Sequence, residues 1–296
     1  MARYSVATVA DAEGSAAALV VEDRVHPLPG RPAMSALLAN WEASVEWFEG
    51  LLAGGALEPA TSVRLLPPVP HPPNLYMAGA NYADHAREMR KLPPDARVPK
   101  AASGPFMFLK PTSTVIGHGD EVRIGPGCER VDWEVELAAV IGRPARNVSV
   151  DRALSVVAGY TVANDVSVRD RFVREDAAEP AMRFDWFSQK GWATSCPLGP
   201  WLVPAGELPD AQDTAMRLTL NGAVEQDSRT SQMIFSIAEQ IAFLSAIVPL
   251  VPGDVICTGT CAGVGAGKGR FLAPGDVMVA EIEGIGSLEN RVVAGV

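Results

Sequence analysis

The chain has 296 residues, 48% hydrophobic and 20% charged, a composition that suits a globular protein able to bury a sizeable core without staples. With 35 acidic against 25 basic residues the net charge is −10, and no Lys/Arg run appears, which argues against nucleic acid or an anionic membrane surface as partner. No stretch reaches the roughly 20 continuous apolar residues of a membrane helix, and the N-terminus reads as a strand rather than a signal peptide, so a cytoplasmic location is expected.

Tyr4–Val9 and Ala16–Glu22 read as two strands joined by a turn at Asp11–Gly14. Leu37, Trp41, Val45, Phe48 and Leu52 then recur at helical spacing. The run Pro67-Pro68-Val-Pro70-His-Pro72-Pro73 cannot enter a helix or a sheet interior and reads as a stiff linker. It divides a small N-terminal α+β domain (1–66) from a larger domain (74–296).

Beyond the linker, Leu75–Ala78 reads as a buried strand, and Asn81 as the cap of a short helix that runs to about Lys91 and stops at Pro93-Pro94. Residues 92–104, rich in Pro, Ala, Gly and Lys, read as a mobile loop. Short strands follow at Glu121–Ile124, Trp133–Ile141, Gly159–Ala163 and Trp201–Val203. Ser149 is the expected cap of a helix over Val150–Val157. Asn221-Gly222 sits between two strand-like runs as a two-residue hairpin signal. Ser236 and Glu239 form a capping box for a helix to about Ser245. The whole is α+β and mostly β beyond residue 70, without regular βαβ alternation.

Several tempting motifs fail. Around Gly263-Val-Gly-Ala-Gly267-Lys268, a phosphate loop needs glycine where Ala262 stands and Ser or Thr where Gly269 stands. The dinucleotide fingerprint lacks its third glycine. Cys128, Cys196, Cys257 and Cys261 form no Cys-x-x-Cys pair and read as reduced thiols packed as small apolar groups.

The chemistry concentrates elsewhere. In Val131-Asp-Trp-Glu134-Val-Glu136-Leu, two glutamates alternate with Trp133, Val135 and Leu137, so on a strand the carboxylates share one face roughly 7 Å apart. They lead into a wholly apolar run, where burial of like charges is costly unless a hard cation joins them. A solvated edge strand would show the same pattern. Asp165, ending the apolar strand Gly159–Asn164, adds a third carboxylate. Three oxygen ligands without histidine favour Mg²⁺, Mn²⁺ or Ca²⁺ over zinc. Asp132 is a weaker candidate. His85 and Glu88, at i and i+3 on the short helix, can meet as an acid–base pair, or form an ordinary surface contact. Lys190, among Phe187, Trp192 and Trp201, is either a buried cation or a snorkelling surface lysine.

Taken in order, these segments resemble the fumarylacetoacetate hydrolase family, in its catalytic C-terminal domain, over roughly residues 74–293. Asn81-Tyr82-Ala-Asp-His85-Ala-Arg-Glu88-Met resembles the family's lid helix with its His–Glu dyad. Phe108-Leu-Lys110-Pro-Thr-Ser resembles its early strand and turn. Glu134, Glu136 and Asp165 fall on its metal carboxylates, Arg169 on a substrate-facing arginine, Lys190 on its active-site lysine and Thr258-Gly259-Thr260 on its threonine turn. The resemblance implies a mixed β-sandwich or β-roll catalytic domain and a homodimer. It also implies catalytic roles for His85, Glu88 and Lys190, and substrate contacts from Arg169, Thr260 and Tyr82. The expected reaction is hydrolysis of a C–C bond in a small 1,3-dioxo acid, an acylpyruvate or fumarylacetoacetate-like compound, with the cation polarising the carbonyl and holding the enolate. The alternative on the same site is a 2-oxo acid decarboxylase, tautomerase or hydratase. Ala193, Cys261 and Phe172 depart from residues common in the family, and Phe172–Gln189 is expected to shape a different substrate pocket. Three carboxylates around one divalent ion leave the site near −1, so the anionic oxo-acid needs added cations such as Lys190 and Arg169.

Overall fold

The computed structural model describes residues 2–55 and 57–295. Strands dominate, in agreement with the α+β, mostly β expectation, and they build one eleven-stranded sheet, one five-stranded sheet and one two-stranded pair. The large sheet runs Arg24–Pro27, Gly14–Val21, Ser5–Asp11, Cys196–Pro204, Val157–Asn164, Val135–Ile141, Val255–Thr260, Leu75–Gly79, Phe106–Leu109. Along this path every pairing is antiparallel except Val255–Thr260 beside Leu75–Gly79. The smaller sheet runs Ala223–Arg229, Ala215–Leu220, Val277–Ile282, Gly286–Ala294, Glu121–Ile124.

Val135–Ile141 lies at the centre, and its apolar run follows from burial of both faces. Val135, Leu137, Ala139 and Ile141 pack into a core shared with Leu218, Leu220, Met278 and Leu288 of the smaller sheet. Ala138 and Val140 point the other way, into a core shared with Val6, Leu19, Trp41 and Phe48. The neighbouring strands Val157–Asn164 and Cys196–Pro204 approach so closely that a Cβ on Gly159 would stand 2.2 Å from the Val203 carbonyl oxygen, which only glycine permits.

Local signals translate directly. The hairpin turn places Asn221 at φ 52° and Gly222 at φ 80°, the left-handed pair that matches strand twist. Ser236 and Glu239 complete a reciprocal capping box on the helix Ile237–Ile247. Other boundaries move. The helical recurrence over 37–52 is broken at Asn40 into Met34–Ala39 and Trp41–Gly54. The short helix spans Ala83–Arg90 with Tyr82 at its cap position. Asn81 does not cap it, because its side chain is spent across the fold: Nδ2 donates to the Phe235 and Thr258 carbonyls, and Oδ1 accepts from the Phe235 N–H. The expected helix over 150–157 is α-helical only at Val150–Ala153 and 3₁₀ over Leu154–Val156, since Val157 already begins a strand. The proline run stands between segments that share one sheet: Ser5–Asp11 pairs with Cys196–Pro204 through Val6 and Leu202.

Removing the cap hydroxyl with Ser236→Ala is expected to lower the unfolding free energy by about 1 kcal/mol. Urea denaturation, with an unchanged denaturant slope, checks this.

Candidate active site

The antiparallel pairing of Val135–Ile141 with Val157–Asn164 sets Val135 opposite Asn164. One step further along the same ladder, the Asp165 N–H donates to the Glu134 carbonyl at 2.9 Å, so Glu134 and Asp165 face each other just beyond the strand ends. Glu136 lies two residues along on the same face as Glu134. One ligand oxygen from each of Glu134, Glu136 and Asp165 lies within 4.8 Å of the others. All three residues are buried, at 6%, 1% and 2% exposure. The solvated-edge reading of the glutamates therefore does not hold, and the long strand expected from Trp133 starts only at Val135. Val131–Asp132 pairs instead with Ser167–Val168.

Cations surround the triad. Lys190 Nζ donates to Glu134 Oε2 at 2.8 Å and to Asp165 Oδ2 at 2.5 Å. It is 3% exposed, so it is a buried cation and not a snorkelling surface lysine. Arg169 donates to Glu134 Oε1 at 2.6 Å and through Nε to Asp132 Oδ2 at 2.8 Å. Burial by itself would raise the Glu134 carboxyl, but Lys190 and Arg169 together hold it down at about 2. Burial would likewise depress Lys190, yet Asp165 and Glu134 keep its ammonium raised.

Glu136 is the exception. Its Oε2 accepts one hydrogen bond, 2.8 Å from the Gly259 N–H. Burial first, then the neighbouring Asp165 and Glu134, push its carboxyl well above the usual range. A hard divalent cation between the three oxygens would remove that repulsion, and an all-carboxylate set suits Mg²⁺ or Mn²⁺. The residues present therefore fit the ion.

Glu134 and Asp165 line a cavity of about 370 Å³, together with His85, Arg169, Gln189, Lys190 and Thr260, and the Glu136 carboxylate lies within reach of theirs. His85 Nδ1 is 3.7 Å from Glu88 Oε2, inside ion-pair reach but beyond hydrogen-bond length. Glu88 also accepts from the Gly263 N–H at 2.9 Å. Burial raises its carboxyl, but His85 and the Gly263 amide bring it below the ordinary value. Thr260 Oγ1 is already engaged, donating to the Val135 carbonyl at 2.8 Å and accepting from Gln226 Nε2 at 2.9 Å. Tyr82, expected at the substrate, has its ring fully buried in the core, and, like Glu136, it is not among the cavity-lining residues.

Three features escaped the reading of the residues. Lys110 is buried, with Nζ donating to Asp165 Oδ1 at 2.6 Å and to the Ser195 carbonyl at 2.7 Å, so Asp165 is gripped by two lysines. A lysine that closes an apolar strand before proline was the only signal. Gln189, 2% exposed, lines the cavity with an Oε1 that has no hydrogen-bond partner among the described residues. Asp132 is not a ligand: its carboxylate accepts from the N–H groups of Gly265 and Ala266 while gripping Arg169. The rejected glycine run thereby acquires a structural reason. A Cβ on Gly265 would stand 2.0 Å from the Arg270 carbonyl oxygen and 2.8 Å from Asp132 Oδ1, and one on Gly267 would stand 3.0 Å from Glu88 Oε1.

Buried carboxylates ringed by cations at the floor of a cavity, on two packed sheets, define an enzyme of mixed-β architecture suited to a hard cation. The sequence profile described as fumarylacetoacetate (FAA) hydrolase C-terminal matches residues 74–293, and the chain belongs to that family. It is 40% identical over 237 residues to the human oxaloacetate tautomerase FAHD2B, mitochondrial, covering 79% of this chain and 71% of that one. Among solved structures, 5-carboxymethyl-2-hydroxymuconate delta-isomerase from Mycobacterium smegmatis matches with TM-score 0.76 and 33% identity over 99% of both chains. Fumarylacetoacetate hydrolase from Exiguobacterium antarcticum matches with TM-score 0.79 and 27% identity, over 98% of this chain and 99% of that one. Among the described residues no helix is long and apolar enough to cross a membrane.

Two outcomes are expected. Mn²⁺ or Mg²⁺ at a hundred times its dissociation constant should stabilise the fold by about 2.7 kcal/mol in thermal melts, and Glu136→Ala should abolish the gain. Lys110→Met, which strips Asp165 of one of its two ammonium partners and leaves Lys190, should cost about 1–3 kcal/mol in urea denaturation. A variant as stable as the parent would show that the ion pair contributes nothing.

Proposed function

We propose that the protein catalyses proton transfer at the carbon beside the carbonyl of a small 2-oxo acid, a metal-dependent keto–enol tautomerisation. The observation that carries this reading is the convergence of the Glu134, Glu136 and Asp165 carboxylates, two of which line the cavity that also holds His85. Similarity to oxaloacetate tautomerases at 38–40% identity supports it. A divalent cation held by the three carboxylates would supply Lewis acidity, polarising the carbonyl. The protein's own groups do the rest. His85, with Nδ1 making no hydrogen bond, takes and returns the proton, and Glu88, 3.7 Å away, faces the ring. Arg169 and Lys190, held in place by Asp132, Glu134 and Asp165, set the positive field in which the enolate charge develops.

The His85–Glu88 pair also favours a second reading, C–C bond hydrolysis of a 1,3-dioxo acid, in which the same pair activates water. The two readings separate on substrate. Keto–enol exchange of oxaloacetate and of phenylpyruvate, followed by ultraviolet absorbance, is set beside consumption of acetylpyruvate with Mg²⁺ or Mn²⁺ present. Tautomerisation is expected to dominate, to vanish on chelation and to return with either ion. His85→Ala is expected to lower kcat by about 10²–10⁴. Turnover that survives chelation, or an unchanged kcat in that variant, contradicts the proposed roles.

A further inference from the structure

The inner end of the cavity and its wall differ in chemistry. Inside, the cations are committed: Lys190 to Glu134 and Asp165, Arg169 to Asp132 and Glu134. The wall is formed by the rings of Phe108, Phe172 and Trp186. Trp186 joins them into one surface: its ring centroid lies 5.2 Å from that of Phe108 and 5.0 Å, edge-on, from that of Phe172. Phe184 backs Phe172 at 5.2 Å. These rings come from three separate segments: the edge strand Phe106–Leu109, the end of the 3₁₀ turn Arg169–Arg171, and the short helix Trp186–Lys190. The helix is pinned by Asp185, which accepts from the Ser188 N–H at 2.8 Å, and it ends on Lys190. The element that supplies the buried ammonium therefore also supplies the central ring of the wall.

Resting on the 2-oxo acid reading above, we infer that the substrate carries an apolar, planar substituent, of aryl type, beyond its oxo-acid head, and that Phe172 and Trp186 select it. A stacked or edge-on ring gains both apolar burial and the aromatic pairing geometry there. A second carboxylate at the same place would lose its hydration against three ring faces. One further cation lines the cavity, Arg130, but it is exposed and lies over the Phe271 ring at 5.0 Å. An exposed arginine offers a tail carboxylate only a weak, salt-screened attraction.

Three unreactive ligands with one head group test this in the Mg²⁺- or Mn²⁺-loaded protein by calorimetric titration: oxamate, N-phenyloxamate with an aryl tail, and N-oxalylglycine with a carboxylate tail. N-phenyloxamate is expected to bind roughly 10- to 100-fold more tightly than either of the others, the range that burial of one ring provides. Phe172→Gln should shrink that preference towards one, and Phe172→Leu, which keeps apolar bulk without the ring, should leave it intermediate. Phe187→Ala, on an exposed side chain that does not line the cavity, should leave the preference intact and serves as the control. Equal affinity for all three ligands, tighter binding of N-oxalylglycine, or a preference that persists in Phe172→Gln overturns the inference while the oxo-acid reading stands. If no ligand binds even with the ion present, the oxo-acid reading itself falls, and this inference with it.

Discussion

Three carboxylates that approach within 4.8 Å of one another, nearly out of reach of water, repel strongly, and the architecture of the site answers that repulsion. Asp165 lies between two lysine ammonium groups, Lys110 and Lys190, while Glu134 is shared by Lys190 and Arg169. Glu136 has a single amide, from Gly259. The imbalance has a direction: two of the acids are neutralised by fixed side chains, and the third has no cationic side-chain partner among the described residues. A site in which all three acids were paired to side chains would be an ion-pair cluster with little need of an ion.

The supports of this cluster extend well beyond the cavity. Asp132 accepts from Gly265, Ala266 and Arg169, and Glu88 accepts from Gly263 while facing His85. One glycine-rich segment thus holds the residue that orients Arg169 and the residue that faces His85. Glycine is required at position 265, where a Cβ would stand 2.0 Å from the Arg270 carbonyl oxygen and 2.8 Å from Asp132 Oδ1. The segment resembles a phosphate-binding loop in composition and serves as a backbone clamp for the site's acids.

The same economy appears on the cavity wall. The helix Trp186–Lys190 contributes Trp186 to an aromatic surface and Lys190 to the charged floor, so chemistry at the floor and selection at the wall are set by one short element. The relatives matched include tautomerases, isomerases and hydrolases. Chemistry within this family therefore varies more than the fold does, and the walls of the cavity are where such variation can be written without disturbing the buried cluster.

Much of this protein is legible in single segments. Alternation put Glu134 and Glu136 on one face and Trp133, Val135 and Leu137 on the other, and the Asn221-Gly222 turn and the Ser236–Glu239 box need only their neighbours in the chain. These features depend on backbone periodicity and on hydrogen bonds a few residues apart, which the order of residues determines by itself. The partners of Asp165, the buried place of Tyr82, the diversion of Asn81 from its helix and the pairing of Asp132 with Arg169 have no local signature. Each arises from strand register and from side chains that meet across the two sheets. Burial then decides whether an acid or a lysine is a solvated surface group or a member of a charged cluster, and burial is a property that only the packed tertiary structure confers.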